Sequence, residues 1–287
     1  MTQALDWKPI GKVKPEKLSS TRRSLHLAAQ AVANLGRSYL PAPEDYGHIS
    51  LRWVPKFNGL AGQPVPVPSG TLQLVAVLSF EPLEWLLLDN KAVTLTKLPL
   101  AGKTLAQLES AVRAELKRHG LDETRYSVKP PFQVESSPLL EGGNFSPEWD
   151  LDERRELAGY YAGADRVLRA LAVEFPGAVG PRCWPHHFDY ALLVKLDAGS
   201  HENARSVGLG MSPGDQYYDQ PYFYSTPWPY PKGQLPPLPK PASWHTQEWT
   251  GAVLRASDLP STAGKVLAAY WRTAGKLLRG LLEKPPA

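Results

Sequence analysis

The segment CWPHHFDYALLVKLD, residues 183–197, places two adjacent histidines and an aspartate at the entrance of an apolar strand. Because side chains two residues apart in a strand point to the same side, we expect His187 and Asp189 to lie together. An imidazole beside a carboxylate can act as a general base that the carboxylate orients. We therefore predict His187 and Asp189 to be catalytic; the structural alternative is a polar pair at a strand end.

The same residues could instead hold a divalent metal ion. In this version His187 and Asp189, with the neighbouring His186, are the predicted ligands of a zinc, iron or manganese ion. Such an ion would activate water for hydrolysis or promote an elimination. The sequence contains neither H-E-x-x-H nor paired C-x-x-C, the spacings that identify metal sites with high specificity. The sequence therefore does not decide whether the site holds a metal ion.

A second group of polar and aromatic residues lies in GMSPGDQYYDQPYFYSTPWPYP, residues 210–231. Its SPGD segment, residues 212–215, is typical of a turn, and we predict Asp215 as a third catalytic residue. Rigid aromatic side chains beside an acidic turn can form the wall of a pocket for an organic molecule. The predicted substrate-binding residues are Tyr222, Tyr224, Trp228, Trp184 and His245. The structural alternative is that the aromatic residues cover an open sheet edge.

Together, WPHHFDYALL and GMSPGDQYYDQPYFYSTPWP resemble a bacterial family of uncharacterised proteins with W-P-x-H-F-D, S-P-G-D, P-Y-x-Y and P-W motifs. The matching positions are Trp184, Pro185, His187, Phe188, Asp189, Ser212, Pro213, Gly214, Asp215, Pro221, Tyr222, Tyr224, Pro227 and Trp228. The upstream helix LHLAAQAVANL is also similar to the N-terminal segment of that family. The resemblance covers most of the chain and implies no particular reaction, because the family has no assigned activity.

Helices and strands that would position these residues can be read from the apolar spacing. Helices are predicted in SSTRRSLHLAAQAVANLG, ending at Gly36, in the segment after Thr104, from about residue 151 to Phe175, and from Ser261 to Leu282. Strands fill the intervals, with a hairpin turn at residues 89–91. Runs of strands flanked by helices, without regular alternation, predict an α+β fold with a largely antiparallel sheet.

The order helix, proline-containing loop, strands, helix occurs twice along the chain. This predicts two structurally similar halves, residues 1–130 and residues 150–287, joined by a proline-rich linker at 131–149. The C-terminal half would carry the candidate site. The alternative is one compact domain, since 287 residues are enough for either arrangement.

Composition limits the classes of partner. The net charge is +4, but no basic stripe is interleaved with aromatic residues, so we expect no nucleic-acid binding. The single cysteine, Cys183, excludes an internal disulfide and favours a reducing compartment. The start, MTQALDWKPIGKV, lacks the apolar core of a signal peptide, and no run reaches the roughly 18 apolar residues of a membrane span. We expect a cytoplasmic protein without membrane contact; its oligomeric state stays open.

The leading functional hypothesis is an enzyme acting on a small organic molecule, either a metal-dependent hydrolase or lyase or one that uses His187 as general base. One alternative is a sensor or carrier that binds such a molecule without turnover. Another is an interaction protein that presents the proline-rich segment WPYPKGQLPPLPKP, residues 228–241, to a partner.

Overall fold

The computed structural model describes residues 10–68, 70–145, 151–198, 204–259 and 264–283. Within these ranges the chain forms four α-helices and two antiparallel sheets of six strands each. The predicted α+β class is confirmed, and both halves of the chain contain such a sheet. Residues 146–149 of the predicted linker and the predicted start of the last helix at Ser261 lie outside the described residues.

The helices are α1 (Ser19–Tyr39), α2 (Leu105–Arg118), α3 (Leu151–Ala172) and α4 (Gly264–Glu283). The strands of the N-terminal sheet are β1 (Arg52–Val54), β2 (Gly59–Ala61), β3 (Val65–Pro66), β4 (Gln73–Ser79), β5 (Glu84–Leu88) and β6 (Thr94–Pro99). Their order is β1-β2-β4-β5-β6, and β3 pairs with β4. The strands of the C-terminal sheet are β7 (Ala178–Trp184), β8 (Asp189–Lys195), β9 (Ser206–Ser212), β10 (Tyr222–Trp228), β11 (Ser243–His245) and β12 (Gly251–Arg255). Their order is β11-β12-β10-β9-β8-β7.

The chain divides into two compact units. The C-terminal unit consists of Met1–Lys17, Gly159–Arg182 and Asp189–Ala287, and the N-terminal unit consists of Leu18–Ala158 and Cys183–Phe188. The described part of the predicted linker, residues 131–145, belongs to the N-terminal unit. Each unit is therefore discontinuous in sequence.

In the N-terminal unit, the first helix does not end at Gly36 as predicted. It continues to Tyr39, and the Leu40 backbone N–H donates to the Gly36 carbonyl at 2.9 Å. A Cβ atom on Gly36 would lie 2.0 Å from the backbone oxygen of His48. Glycine is therefore needed at this position for a close approach between two backbone segments, and it does not terminate the helix.

The predicted hairpin turn and the helix after Thr104 are confirmed. Asp89 Oδ1 accepts hydrogen bonds from the backbone N–H groups of Lys91 and Val93, each at 2.8 Å, and thereby closes the turn between β5 and β6. Thr104 and Gln107 form a reciprocal capping box at the start of α2. Both structures depend on residues that are close in sequence.

One face of the C-terminal sheet is covered by α3 and α4. The Phe223 ring of β10 contacts Tyr160 of α3 and Trp271 of α4, with centroid distances of 6.2 and 5.6 Å. Because side chains alternate along a strand, Tyr222 and Tyr224 point to the opposite face. We call that opposite face the tyrosine face.

The strand predicted to begin at His187 begins at Asp189 instead. Residues 185–188 form a turn, in which the backbone N–H groups of His187 and Phe188 donate to the Trp184 carbonyl at 3.2 and 2.7 Å. Phe188 has a φ of +57°, in the left-handed region. His187 therefore lies in a turn and not in a strand, and the prediction that strand alternation places it beside Asp189 is wrong.

Cys183 is buried and carries a free thiol. No helix among the described ranges combines the length and apolar character needed to cross a bilayer.

Candidate functional site

The tyrosine face carries a cluster of acidic, aromatic and histidine side chains that all belong to the C-terminal unit. They come from the start of β8, the β9–β10 loop (213–221), β10, the end of β11 and the β11–β12 loop (246–250). We call this group the tyrosine–carboxylate cluster. Its members are Asp189, Asp215, Tyr217, Tyr218, Tyr222, Tyr224, His245, Glu248 and Trp249.

Asp189 is the most deeply buried carboxylate of the cluster, with 8% of its surface exposed. Its Oδ2 accepts a hydrogen bond from the Tyr224 hydroxyl. Its Oδ1 is also buried, and no described residue donates a hydrogen bond to it. A buried carboxylate oxygen without a donor is energetically costly, and most buried polar atoms have a partner. This oxygen is therefore the strongest indication of a ligand in the cluster.

Gly210 allows Tyr224 to reach Asp189. The two residues Tyr224 and Gly210 are register partners on β10 and β9, and the tyrosine ring lies directly over the glycine. A Cβ atom on Gly210 would lie 2.4 Å from Tyr224 Cζ and 2.5 Å from the hydroxyl oxygen. The side chain therefore extends across β9 to β8, where Asp189 is located. Trp249 similarly lies over Gly251, where a Cβ atom would be 2.5 Å from the indole ring.

Asp215 organises the β9–β10 loop. Its Oδ1 accepts the backbone N–H groups of Tyr217 and Tyr218 at 2.8 and 3.0 Å, and its Oδ2 accepts the Tyr222 hydroxyl at 2.6 Å. Burial and the adjacent Asp215 carboxylate raise the pKa of Tyr222 well above its ordinary value, so this phenol keeps its proton and donates a hydrogen bond to the carboxylate. Both oxygens of Asp215 thus have donors from the protein.

His245 is buried and connects the two loops. Its Nε2 lies 2.8 Å from the backbone oxygen of Gln247, which can only accept, so Nε2 is the donor. His245 Nδ1 lies 3.0 Å from the Tyr218 hydroxyl, within hydrogen-bond distance. Trp249 stacks on the imidazole with a centroid distance of 4.2 Å and an angle of 26°. Burial, and secondarily the Asp215 carboxylate, raise the pKa of Tyr218.

Tyr222, Tyr224 and Trp249 form a triangle of rings. The centroid distances are 6.2 Å between the tyrosines, 6.4 Å from Tyr222 to Trp249 and 6.2 Å from Tyr224 to Trp249. At these distances the rings contact one another directly. Tyr222 is buried, whereas Tyr224 and Trp249 are half-buried and present ring surface to solvent.

Five predicted site residues lie in the cluster: Asp189, Asp215, Tyr222, Tyr224 and His245. Trp228 lies at the other end of β10, where it is the register partner of Ser206. It is 40% exposed and packs edge-on against Tyr230 with a centroid distance of 5.3 Å. Alternation along β10 puts Trp228 on the same face as the tyrosines, but about 20 Å of strand separates positions 222 and 228.

Trp184, His186 and His187 belong to the N-terminal unit. Both histidines are exposed, with ring centroids 4.4 Å apart, and the His186 ring lies 6.2 Å from that of Trp184. Their turn is attached to α1 of the same unit, because His26 Nε2 donates to the Pro185 carbonyl at 2.7 Å.

The metal-ligand set predicted from the sequence was His186, His187 and Asp189. Across the described ranges, no three or more His, Cys, Asp or Glu side chains are grouped so that they could hold a metal ion. The residues present therefore do not fit a zinc, iron or manganese ion.

Sequence reasoning missed Tyr217, Tyr218, Glu248 and Trp249. A usable signal was the alternation of glycines in SVGLGMS beside the alternation of tyrosines in PYFYS, since an aromatic ring can pack over a glycine of the adjacent strand. This signal becomes specific only when the register between β9 and β10 is known.

Comparisons of the chain with protein-family models, with curated proteins and with solved structures found no match. The resemblance based on the W-P-x-H-F-D and S-P-G-D motifs stays a prediction.

Proposed function

We propose that the tyrosine–carboxylate cluster binds a small organic molecule, and that Asp189 Oδ1 accepts a hydrogen bond from this ligand. The buried, unpartnered Oδ1 is the observation that supports the proposal. A hydrogen bond to a charged group contributes about 1.5–3 kcal/mol, which a ligand donor would supply. The half-buried rings of Tyr224 and Trp249 offer the apolar surface that small-molecule sites require.

In this proposal the predicted site residues have different roles. Asp189 contacts the ligand, and Tyr224 holds the Asp189 carboxylate in place. Asp215 and His245 position the two loops, because their polar side-chain atoms are bonded to loop residues. The proposal uses neither a metal ion nor His187. We also propose that the protein is cytoplasmic, because a buried free thiol such as that of Cys183 is typical of proteins in reducing compartments.

Catalysis is a second candidate, supported by the direct hydrogen bond between Tyr224 and Asp189. In such a reaction the ligand would give a proton to Asp189 Oδ1 as general base, and the Tyr224 hydroxyl would leave Asp189 Oδ2 and give a proton to the ligand as general acid. Asp189 would then return its proton to Tyr224, which restores both groups. This arrangement suits the hydrolase or lyase chemistry predicted from the sequence. Incubating each bound compound with the protein and following its mass would separate turnover from simple binding.

The binding proposal can be tested by a thermal-shift screen of metabolites against three proteins: the wild type, Asp189→Asn and Asp219→Asn. Asp219 is exposed in the β9–β10 loop and forms none of the hydrogen bonds of the cluster, so it is a matched control. A compound at about 100 times its dissociation constant stabilises the folded protein by about 2.7 kcal/mol. We expect this stabilisation for the wild type and the control, and its loss in Asp189→Asn. Compounds that stabilise Asp189→Asn as strongly as the wild type would contradict the proposal.

A further inference from the structure

We infer that the ligand of the tyrosine–carboxylate cluster is an organic cation, with an ammonium or guanidinium group on Asp189 and its carbon skeleton on Tyr224 and Trp249. This inference rests on the proposed function and adds the chemical class of the ligand. Three features of the cluster support it: its charge, the burial of Asp189 and the direction of its hydrogen bonds.

The cluster contains three carboxylates, Asp189, Asp215 and Glu248, and no lysine or arginine. Across the described ranges, none of the three forms an ion pair with a basic side chain. Arg255, the register partner of Tyr222, binds Asp258 instead, with Nε 3.0 Å from Oδ2. The charge of the cluster therefore repels anions and attracts cations.

The lack of a basic partner is most costly at Asp189, because this carboxylate is the most deeply buried of the three. A carboxylate that is removed from water is compensated best by a paired charge that also donates hydrogen bonds. Within the described ranges, the Tyr224 phenol is the one donor to Asp189. An ammonium group adds a Coulomb attraction to the carboxylate that a neutral hydroxyl lacks, and it carries three N–H donors. An ammonium group therefore suits the free Oδ1 better than a hydroxyl group.

The hydrogen bonds of the cluster leave few donors for a ligand. Three tyrosine hydroxyls donate within the cluster, to Glu248, Asp215 and Asp189, and the Tyr218 hydroxyl is hydrogen-bonded to His245 Nδ1. A ligand carboxylate or phosphate would therefore find no tyrosine hydroxyl free to donate. What remains for a ligand is the unpartnered, buried Oδ1 of Asp189 and the half-buried rings of Tyr224 and Trp249. A cation is attracted to the face of a tyrosine or tryptophan ring.

The test compares three probes with nearly the same skeleton: phenethylammonium, 2-phenylethanol and 3-phenylpropanoate. Isothermal titration calorimetry at low salt would be done on the wild type, Asp189→Asn and the Asp219→Asn control. We expect the wild type and the control to bind the ammonium at least about tenfold more tightly than the alcohol, and the carboxylate more weakly still. Asp189→Asn should lose this preference for the ammonium.

Tyr224→Phe keeps the Asp189 carboxylate and removes only the phenol that donates to it, so this variant should retain the preference for the ammonium. It provides a second test of the inference if Asp189→Asn folds poorly. Equal binding of the ammonium and the alcohol by the wild type would overturn the inference about ligand class, as would failure of the ammonium to bind. A neutral metabolite that stabilises the wild type but not Asp189→Asn would support the proposed site and would refute the inference that its ligand is a cation.

Discussion

Replacing Gly210 by alanine is expected to displace the Tyr224 ring and to break its hydrogen bond to Asp189. The new Cβ atom would lie 2.4 Å from Tyr224 Cζ and 2.5 Å from the hydroxyl oxygen. Carbon atoms in contact are separated by about 3.5–4.0 Å, so the ring must move by about 1 Å or more. Such a movement is incompatible with the present position of the hydroxyl on Asp189 Oδ2.

The expected loss of stability follows from three contributions. Overpacking costs about 1–3 kcal/mol, and leaving the Asp189 carboxylate without any donor adds about 1–3 kcal/mol. Alanine is favoured over glycine in a strand by about 0.5–1 kcal/mol, which offsets part of this loss. We expect a net decrease of about 2–4 kcal/mol in the free energy of unfolding, or roughly 3–7 °C in Tm.

Gly208→Ala is the matched control, because Gly208 lies on the same strand and the same face. Its Cβ atom would be 3.2 Å from the Thr226 Cγ2 atom, a side-chain methyl group that can move slightly. We expect a change within about 1 kcal/mol of the wild type. Urea unfolding followed by circular dichroism would measure both variants. If Gly210→Ala unfolds at the same urea concentration as Gly208→Ala, the Tyr224 ring does not lie over position 210 and the reasoning is refuted.

Two further predictions concern the rest of the molecule. Gly36→Ala should lower the free energy of unfolding by about 3 kcal/mol or more, because its Cβ would be 2.0 Å from a backbone oxygen. Gly280→Ala lies in open space on α4 and should raise the free energy of unfolding by up to about 1 kcal/mol. A similar Tm for the two variants would contradict this prediction. Burial lowers the pKa of His26 to about 4, below its ordinary value of 6.5, so the unfolded chain takes up a proton that the folded protein does not. Stability should therefore fall as pH decreases from about 6.5 to about 4, and His26→Phe should remove up to about 3 kcal/mol of that loss. Urea unfolding at several pH values would measure this effect, and an unchanged pH dependence in His26→Phe would refute the assignment.

The parts of the fold that could be predicted depend on residues close in sequence. The Asp89 turn and the Thr104 cap were identified correctly because their hydrogen bonds span two to four residues. Alternation along one strand likewise places Tyr222 and Tyr224 on the same face. Gly36 was misinterpreted because its role depends on a carbonyl twelve positions away, which no local pattern reveals.

In the candidate site, too, features that depend on neighbouring residues were predicted and contacts between distant residues were not. The sequence identified Asp189 and Asp215 as polar residues beside aromatic strands, but it placed His187 on a strand, whereas the left-handed Phe188 keeps it in a turn. The Tyr224–Asp189 hydrogen bond joins residues 35 positions apart across the intervening strand β9. It exists because the β9–β10 register places a glycine, and not a larger residue, under the tyrosine ring.

By itself the sequence determined the α+β class, the approximate positions of the helices and the shared face of Tyr222 and Tyr224, because spacing and capping act over a few residues. Only the tertiary structure decided which of the acidic residues is buried with an unpartnered oxygen and which merely closes a loop. That distinction depends on strand order, register and the packing of rings over glycines, and these are set by contacts between residues far apart in the chain.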